Sequence, residues 1–296
     1  MPLDAKTKAA VPSKFDRIAS TYDLLTGLNP GYRAHLRQSA QRLGMPRRAR
    51  VLDLCCGTGT STAALHSVYP GAEIVGVDAS AKMIERAKTK PIASHARFVV
   101  GNAMDLGAAG IHGPFDGVLM AYGIRNVPNM DRCLEGIRTI LQPEGRICFH
   151  EYSVAGSIRS KLVWNAVTAG IIIPGGALTA GTTEIYRYLR RSVFEFDSVL
   201  EFEKRLSRAG FVRVRTHPMK GWQRGILHSF VAQRPSAEIT PCPSDEITPC
   251  PSDEITPCPS DEITPCPSAE ITPCPSDEIG GKEARSGADR AGASDA

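Results

Sequence analysis

The sequence predicts an α/β fold: a doubly wound, mainly parallel seven-stranded sheet with N-terminal helices and a repetitive, disordered C-terminal tail. Three observations predict it. A short apolar run, Val51-Leu52-Asp53-Leu54, leads into the tight turn Gly57-Thr58-Gly59 and a helical stretch from Thr60. Strand-like and helix-like segments then alternate as far as Ser153, the pattern of successive βαβ units. Two last extended runs, 212–219 and 226–234, follow closely enough to pair antiparallel.

Residues 1–11 read as a loose end and 12–234 as one domain. Within 12–44 two helices break at 27–31. Ser13 is placed to cap the first, with Asp16 three residues on, and Phe15, Ile18, Tyr22 and Leu25 share one helical face. The run 51–54 is a strand buried on both faces. Residues 60–68 follow as a helix, 73–77 as a second strand, and 80–90 as a helix capped by Ser80. A third strand starts at Ala96 and ends in the polar cluster Asn102, Ala103, Asp105. A fourth covers 115–121 and enters a loop, and 129–153 read as helix, Pro-Glu-Gly turn and fifth strand. Residues 197–211 form a helix stopped by Gly210. The stretch 162–180 carries no charge over nineteen positions, long enough to suggest a membrane span. Asn165 and Pro174-Gly175-Gly176 interrupt it, so a wall over an apolar substrate is the expectation, with shallow contact to a bilayer surface.

The loop after the first strand is a ligand turn. Glycine lets the backbone bend sharply and approach a bound molecule, and the helix behind it presents free N–H groups. Asp78 lies 21 residues after Gly57, the spacing of a carboxylate that accepts hydrogen bonds from the two ribose hydroxyls of a nucleoside. A dinucleotide site asks for a third glycine where Thr62 stands. An acid inside the first strand, Asp53, followed by Gly-x-Gly suits S-adenosylmethionine better, since that cofactor has an ammonium and a sulfonium but no pyrophosphate. Ligands of open α/β sheets sit beyond the carboxyl ends of the strands, where Thr58, Asp78 and Asn102 fall. Asn102 or Asp105 either reads the adenine edge or caps the next turn.

Charge is divided along the chain. Residues 235–296 hold 13 acids and 3 bases, against 18 acids and 32 bases in 1–234. The tail repeats an octapeptide, Pro-Ser-Asp/Ala-Glu-Ile-Thr-Pro-Cys, whose two prolines and single apolar residue cannot build a core. Of nine cysteines, four (Cys55, Cys56, Cys133, Cys148) lie in the body without metal or disulfide spacing, so no metal site is expected. With no signal-type apolar run, cytoplasmic residence is expected, peripheral at most to the inner face of a membrane.

Several stretches together resemble the ubiquinone/menaquinone-biosynthesis C-methyltransferases, a branch of the class I S-adenosylmethionine-dependent enzymes. They are "KFDRIASTYDLLTGL", "VLDLCCGTGTST", "VGVDASAKMI", "GNAMDL", "FDGVLMAYGIRNV", "LQPEGRICFHEYS", "YRYLRRSV", "RAGFVRV" and "GILH". The resemblance implies the Rossmann-like methyltransferase fold and puts Thr58, Asp78, Asn102 and Ala103 at cofactor positions, beside Asp53, Gly57 and Gly59 of the loop. It puts Tyr22, Arg125 and Asn126 at the substrate. Where the family often has Ser-Phe-Gly, this chain has Ala121-Tyr122-Gly123. Glu-Phe-Ser has become Glu151-Tyr152-Ser153, preceded by His150, and 154–180 matches poorly. The implied reaction is methylation of a ring carbon ortho to a phenol, which reacts once ionised. Arg125 would stabilise negative charge or hold a water, Asn126 would fix that water or a second ring oxygen, and Tyr22 would orient the ring hydroxyl. His150 has the intrinsic pKa of a general base. The implied partner is a small lipophilic quinol, with a homodimer as the assembly. Nucleic acid is not expected, because the basic residues are scattered. Another small aromatic or lipid-like metabolite, or a non-enzymatic cofactor-binding scaffold, are the alternative readings.

Overall fold

The computed structural model describes residues 3–27 and 29–236. The side chain of Leu25 and residues 237–296 of the octapeptide tail lie outside the described residues. Helices α1 (Ala5–Ala9), α2 (Val11–Gly27) and α3 (Tyr32–Leu43) precede the first strand. Residues 3–11 are therefore more ordered than expected: Asp4 caps α1 by accepting from the Thr7 N–H, and Val11 is buried. Ser13 does not cap α2. The helix starts two residues earlier, and the Ser13 hydroxyl donates to the Ala10 carbonyl. Asp16 instead accepts from the Ser80 hydroxyl and the Lys82 N–H, tying α2 to another helix N-terminus.

From β1 (Arg50–Leu54) the chain winds through α4 (Thr60–Val68), β2 (Glu73–Asp78), α5 (Ala81–Lys88) and β3 (Ala96–Val100), then β4 (Phe115–Ala121), α6 (Met130–Ile140) and β5 (Leu141–Tyr152). These five strands are parallel, in the order β3-β2-β1-β4-β5. Pro143, Glu144 and Gly145 are not a turn ahead of β5 but a bulge within it. Between the pairs Phe115–Leu141 and Gly117–Arg146 the register slips, and Glu144 takes φ +63°. The chain ends with α7 (Ile158–Val167), a π-helical turn over Thr168–Ile172, α8 (Ile173–Ala180), α9 (Glu184–Phe194), α10 (Val199–Arg208), β6 (Val212–Pro218) and β7 (Leu227–Gln233). β7 inserts antiparallel between β5 and β6 to complete the seven-stranded sheet.

The parallel strands alternate between two buried layers, as strands covered on both faces must. Val118 and Met120 of β4 join a core with Phe149, Phe202 and Phe230, while Leu119 joins Leu43, Val51, Leu65 and Cys148 on the other side. Phe202 packs edge-on against Phe149 and Phe230, with centroids 5.3 and 4.9 Å away. Ser198 and Glu201 close a reciprocal capping box at the start of α10, which holds that helix in place. The π-helical turn precedes Pro174, whose missing N–H would break an ordinary α-helical ladder, and the wider turn absorbs the defect.

Candidate functional site

Strand order reverses between β1 and β4, so the loops that follow these two strands face a shared crevice. The loops press together because Gly123 lacks a side chain: a Cβ there would sit 2.7 Å from the Cβ of Cys55. A cavity of about 250 Å³ opens at this point, lined by Cys55, Gly57, Asp78, Asn102, Ala103 and Met83 among others. Asp78 ends β2. Its carboxylate accepts the Gly57 N–H at 2.9 Å and the Ser80 N–H at 2.8 Å, while burial pushes its pKa up. Among the described residues, backbone amides and no cation hold this carboxylate, which leaves it lone pairs for neutral hydroxyl donors. That chemistry suits a ribose. Asn102 lines the same cavity, with its Oδ1 accepting the Met104 N–H at 2.9 Å.

Two predicted cofactor residues point elsewhere. Asp53 is fully buried and accepts from the Ser61 and Thr62 hydroxyls at 2.8 and 2.6 Å, and burial pushes it up to about 7. Thr58 donates to Asp23 of α2 at 2.6 Å, and Lys90 also reaches Asp23 at 2.8 Å. Neither residue lines the cavity, and nor does Gly59, whose φ of +83° makes the turn into α4. These three shape the loop and fasten it rather than facing the space it encloses.

A second cavity, of about 460 Å³, adjoins the first and shares Phe15, Tyr22, Tyr122, Arg125 and Asn126 with it. Its remaining walls are almost wholly apolar or phenolic, including Tyr32, Tyr152, Tyr186 and Tyr188, with Ile171 and Ile172 from the uncharged stretch. The 158–179 segment is long and apolar enough to cross a membrane by length and composition, yet here it serves as a wall of this cavity. Arg125 is buried at the junction. It contacts Glu151, and its Nη1 also donates to the Tyr122 carbonyl at 2.9 Å and its Nε to Ser192 at 3.3 Å. Burial raises the Glu151 pKa while the Arg125 charge opposes the rise, and Oε2 has no partner among the described residues. Asn126 donates to the Tyr122 carbonyl and accepts from the Tyr188 hydroxyl at 3.1 Å.

His150 lies behind this cavity, not on it. The ring is fully buried, with Nε2 2.9 Å from the Tyr122 hydroxyl and Nδ1 2.7 Å from the Ser39 hydroxyl. Burial, with the charges of His35 and Arg42, pushes it down to about 3. A general base must reach the proton it takes, and both nitrogens are already engaged. The structure also adds residues that spacing did not point to. Cys55 and Tyr122 take φ of +60° and +56°, a costly backbone state for side chains with a Cβ, and both line the cavities. The signal in the sequence was their place beside Gly57 and Gly123.

The sequence pattern of the ubiE/COQ5 methyltransferase family matches residues 3–231. The chain belongs to that family. This methyltransferase uses S-adenosylmethionine, and the residues around Asp78 fit that cofactor. It is 29% identical over 218 residues to the demethylmenaquinone methyltransferase of Staphylococcus aureus strain JH9, covering 72% of this chain and 90% of that one. Among solved structures it shares the fold of Haemonchus contortus phosphoethanolamine N-methyltransferase 2 bound to S-adenosyl-L-methionine. There the TM-score is 0.54 at 16% identity, over 74% of this chain and 57% of that one. It also shares the fold of the [4+2]-cyclase SpnF, at TM-score 0.58 and 14% identity, over 80% and 97% of the two chains.

Proposed function

We propose that the methyltransferase acts on a ring carbon of a lipophilic quinol, with demethylmenaquinol as the first acceptor to test. One observation carries the reading: the large phenol- and aliphatic-lined cavity meets the cofactor cavity at Tyr22, Tyr122, Arg125 and Asn126. The name of the Staphylococcus aureus relative supports the same acceptor class. Asp78 would take the ribose hydroxyls, the Gly57 turn and Ala103 would border the nucleoside, and Asn102 would contact its base. S-adenosylmethionine supplies a methyl group activated on a sulfonium. The chain's own part is to align the acceptor and favour its ionised form. Arg125 puts a positive charge beside the acceptor oxygen, where negative charge is stabilised most in a low-dielectric site. Its Nη2 has no hydrogen-bond partner among the described residues and is the arm available for that oxygen. As a permanent cation it does not take the proton itself. Tyr22, which lines this cavity together with Tyr32, would orient the ring.

A lipophilic acceptor also gives the outer face of the 158–179 wall a role. Ile158, Leu162, Ile171 and Leu178 are exposed there, and Ile171 also lines the acceptor cavity. Contact of this face with a bilayer would place the cavity next to the phase that dissolves the substrate. Incubating purified protein with demethylmenaquinol and methyl-labelled cofactor tests the reading, with mass spectrometry of the extracted quinone expected to show one added, labelled methyl. Label found only on other small phenols would overturn the quinol assignment.

A further inference from the structure

Helix α2 is fastened to both sides of the Asp78 carboxylate. On one side the Ser80 N–H donates to Asp78 at 2.8 Å, while the Ser80 hydroxyl donates to Asp16 at 2.5 Å. On the other the Gly57 N–H donates to Asp78 at 2.9 Å, and the next residue, Thr58, donates its hydroxyl to Asp23 at 2.6 Å. The Lys82 N–H adds to the first attachment at 3.2 Å. Lys90 Nζ at 2.8 Å and Arg86 Nε at 3.6 Å add to the second. Burial works against the Asp23 charge, yet the hydrogen bonds from Lys90 and Thr58 hold its carboxyl below the usual carboxylate range. Thr58 and Ser80 are buried, so a hydroxyl that lost its acid would find little water in its place.

The spacing of the two acids gives the attachments a purpose beyond holding a helix. Asp16 and Asp23 are seven residues apart, two turns, which puts them on one face of α2 about 10 Å apart along its axis. Phe15 and Tyr22 stand directly before them and keep the same spacing one step round the helix. Their rings meet edge-on, with centroids 5.9 Å apart. Both rings line the cofactor cavity and the acceptor cavity, so they stand where the two meet. Neither acid lines either cavity. Each therefore holds a point of the backbone next to a ring at the junction, and acts on a ligand only through that ring.

We propose that Asp16 and Asp23 are positioning residues that tie α2 to the Asp78 cradle, set Phe15 and Tyr22 across the junction, and make cofactor and acceptor binding favour one another. This rests on the aromatic acceptor proposed above for the larger cavity. The coupling follows from the shared frame. A nucleoside that orders Asp78 and its two amide donors also orders Ser80 and Thr58, and through them a wall of the acceptor cavity. The second ligand then meets a wall already in place and loses less entropy in ordering it. By linkage the effect is equal in both directions.

The test reads coupling without turnover. Calorimetry measures the affinity of the full chain for α-naphthol, a probe of the acceptor cavity, with and without saturating S-adenosylhomocysteine. In wild type the nucleoside should tighten naphthol binding about tenfold. Asp16→Ala and Thr58→Val each break one attachment and should cut that factor to about threefold or less, and the two together should abolish it. Asp23→Ala should match Thr58→Val, whereas Asp23→Asn, which keeps an oxygen for the Thr58 proton, should retain most of the coupling. Retained S-adenosylhomocysteine affinity identifies the folded variants, and a general loss of stability does not move the ratio of two affinities in one protein. No coupling in wild type overturns the proposal, and so does a factor unchanged in every folded variant. Failure of the S-adenosylhomocysteine-bound wild type to take up naphthol overturns the aromatic-acceptor reading and this inference with it.

Discussion

Replacing Arg125 by alanine should cost both stability and turnover, and a second substitution separates the two. Arg125 is 4% exposed and Glu151 is fully buried, so removing the guanidinium strands a carboxylate in the core. Breaking such a pair costs about 3–5 kcal/mol, a large part of a typical folding free energy of roughly 5–15 kcal/mol. For a domain of this length that is a fall in Tm on the order of 10 °C. The loss depends on pH. With the cation gone, Glu151 binds its proton more tightly in the folded state than at its ordinary 4.5 in the unfolded chain. The folded state then holds more protons in the window above 4.5, so stability rises as pH falls from the raised folded value toward 4.5. Arg125→Ala should accordingly lose less Tm relative to wild type at pH 5 than at pH 8.

The double variant Arg125→Met/Glu151→Gln removes both charges and should restore most of the stability, since an apolar replacement of a buried pair is often nearly neutral. It should not restore methyl transfer. Thermal melts at the two pH values, S-adenosylhomocysteine calorimetry and single-turnover rates on the three proteins check this. If the double variant regains activity along with stability, Arg125 acts only as a structural partner of Glu151.

Asp78→Ala removes the carboxylate proposed to take the ribose hydroxyls and should weaken S-adenosylhomocysteine binding about tenfold or more in calorimetry, since charge-assisted hydrogen bonds contribute about 1.5–3 kcal/mol. Cys55→Gly relieves the φ of +60° at roughly 1–2 kcal/mol but adds unfolded-chain entropy of roughly 0.5–1, so its urea midpoint should rise slightly while cofactor affinity is kept. Ile158→Glu and Leu178→Glu, on the exposed face of the wall, should each lower partitioning onto phosphatidylglycerol vesicles about tenfold, as expected for roughly 1.5 kcal/mol of lost apolar burial. Their melting temperatures should stay close to wild type. His150 and His228, pushed down to about 3 and 4 by burial, stay neutral in the fold while the unfolded chain protonates near 6.5. Stability should therefore fall as pH drops from about 6.5 toward 4, with a shallower slope in His228→Gln.

What the sequence made legible is what depends on spacing along the chain. The five parallel strands, the Ser80 cap and the reach from Gly57 to Asp78 are set within single βαβ units, and the structure places each as expected. The directions of Thr58 and Asp53 were not legible. Asp53 near the end of β1 and Thr58 in the loop after it have the right spacing, yet Thr58 turns toward Asp23 on α2, and Asp53 toward the hydroxyls of Ser61 and Thr62. His150 was misread for a related reason. Its intrinsic pKa suits a base, but β7 inserts beside β5 and brings Ser229 level with it, completing a fully buried surround that only the strand order reveals.

The acceptor cavity was the least legible part because most of its walls come from outside the alternating units. The cofactor cavity draws on the ends of β1, β2 and β4 with α2 over them, whereas the acceptor cavity adds to the ends of β4 and β5 walls from α2, the turn into α8, α9 and the segment holding Trp222. The helical contribution is long-range: Ile18 of α2 packs with Ile185 and Tyr186 of α9, and the Tyr186 ring occupies the space a Cβ on Gly176 would take. In the proposed reading the strand-end loops would hold the nucleoside, and the helical cover would decide what meets it. Structures that share this fold include both an N-methyltransferase and a [4+2]-cyclase, so the fold by itself does not fix the reaction. Changes within 158–194 should therefore alter acceptor choice while leaving S-adenosylhomocysteine affinity in place.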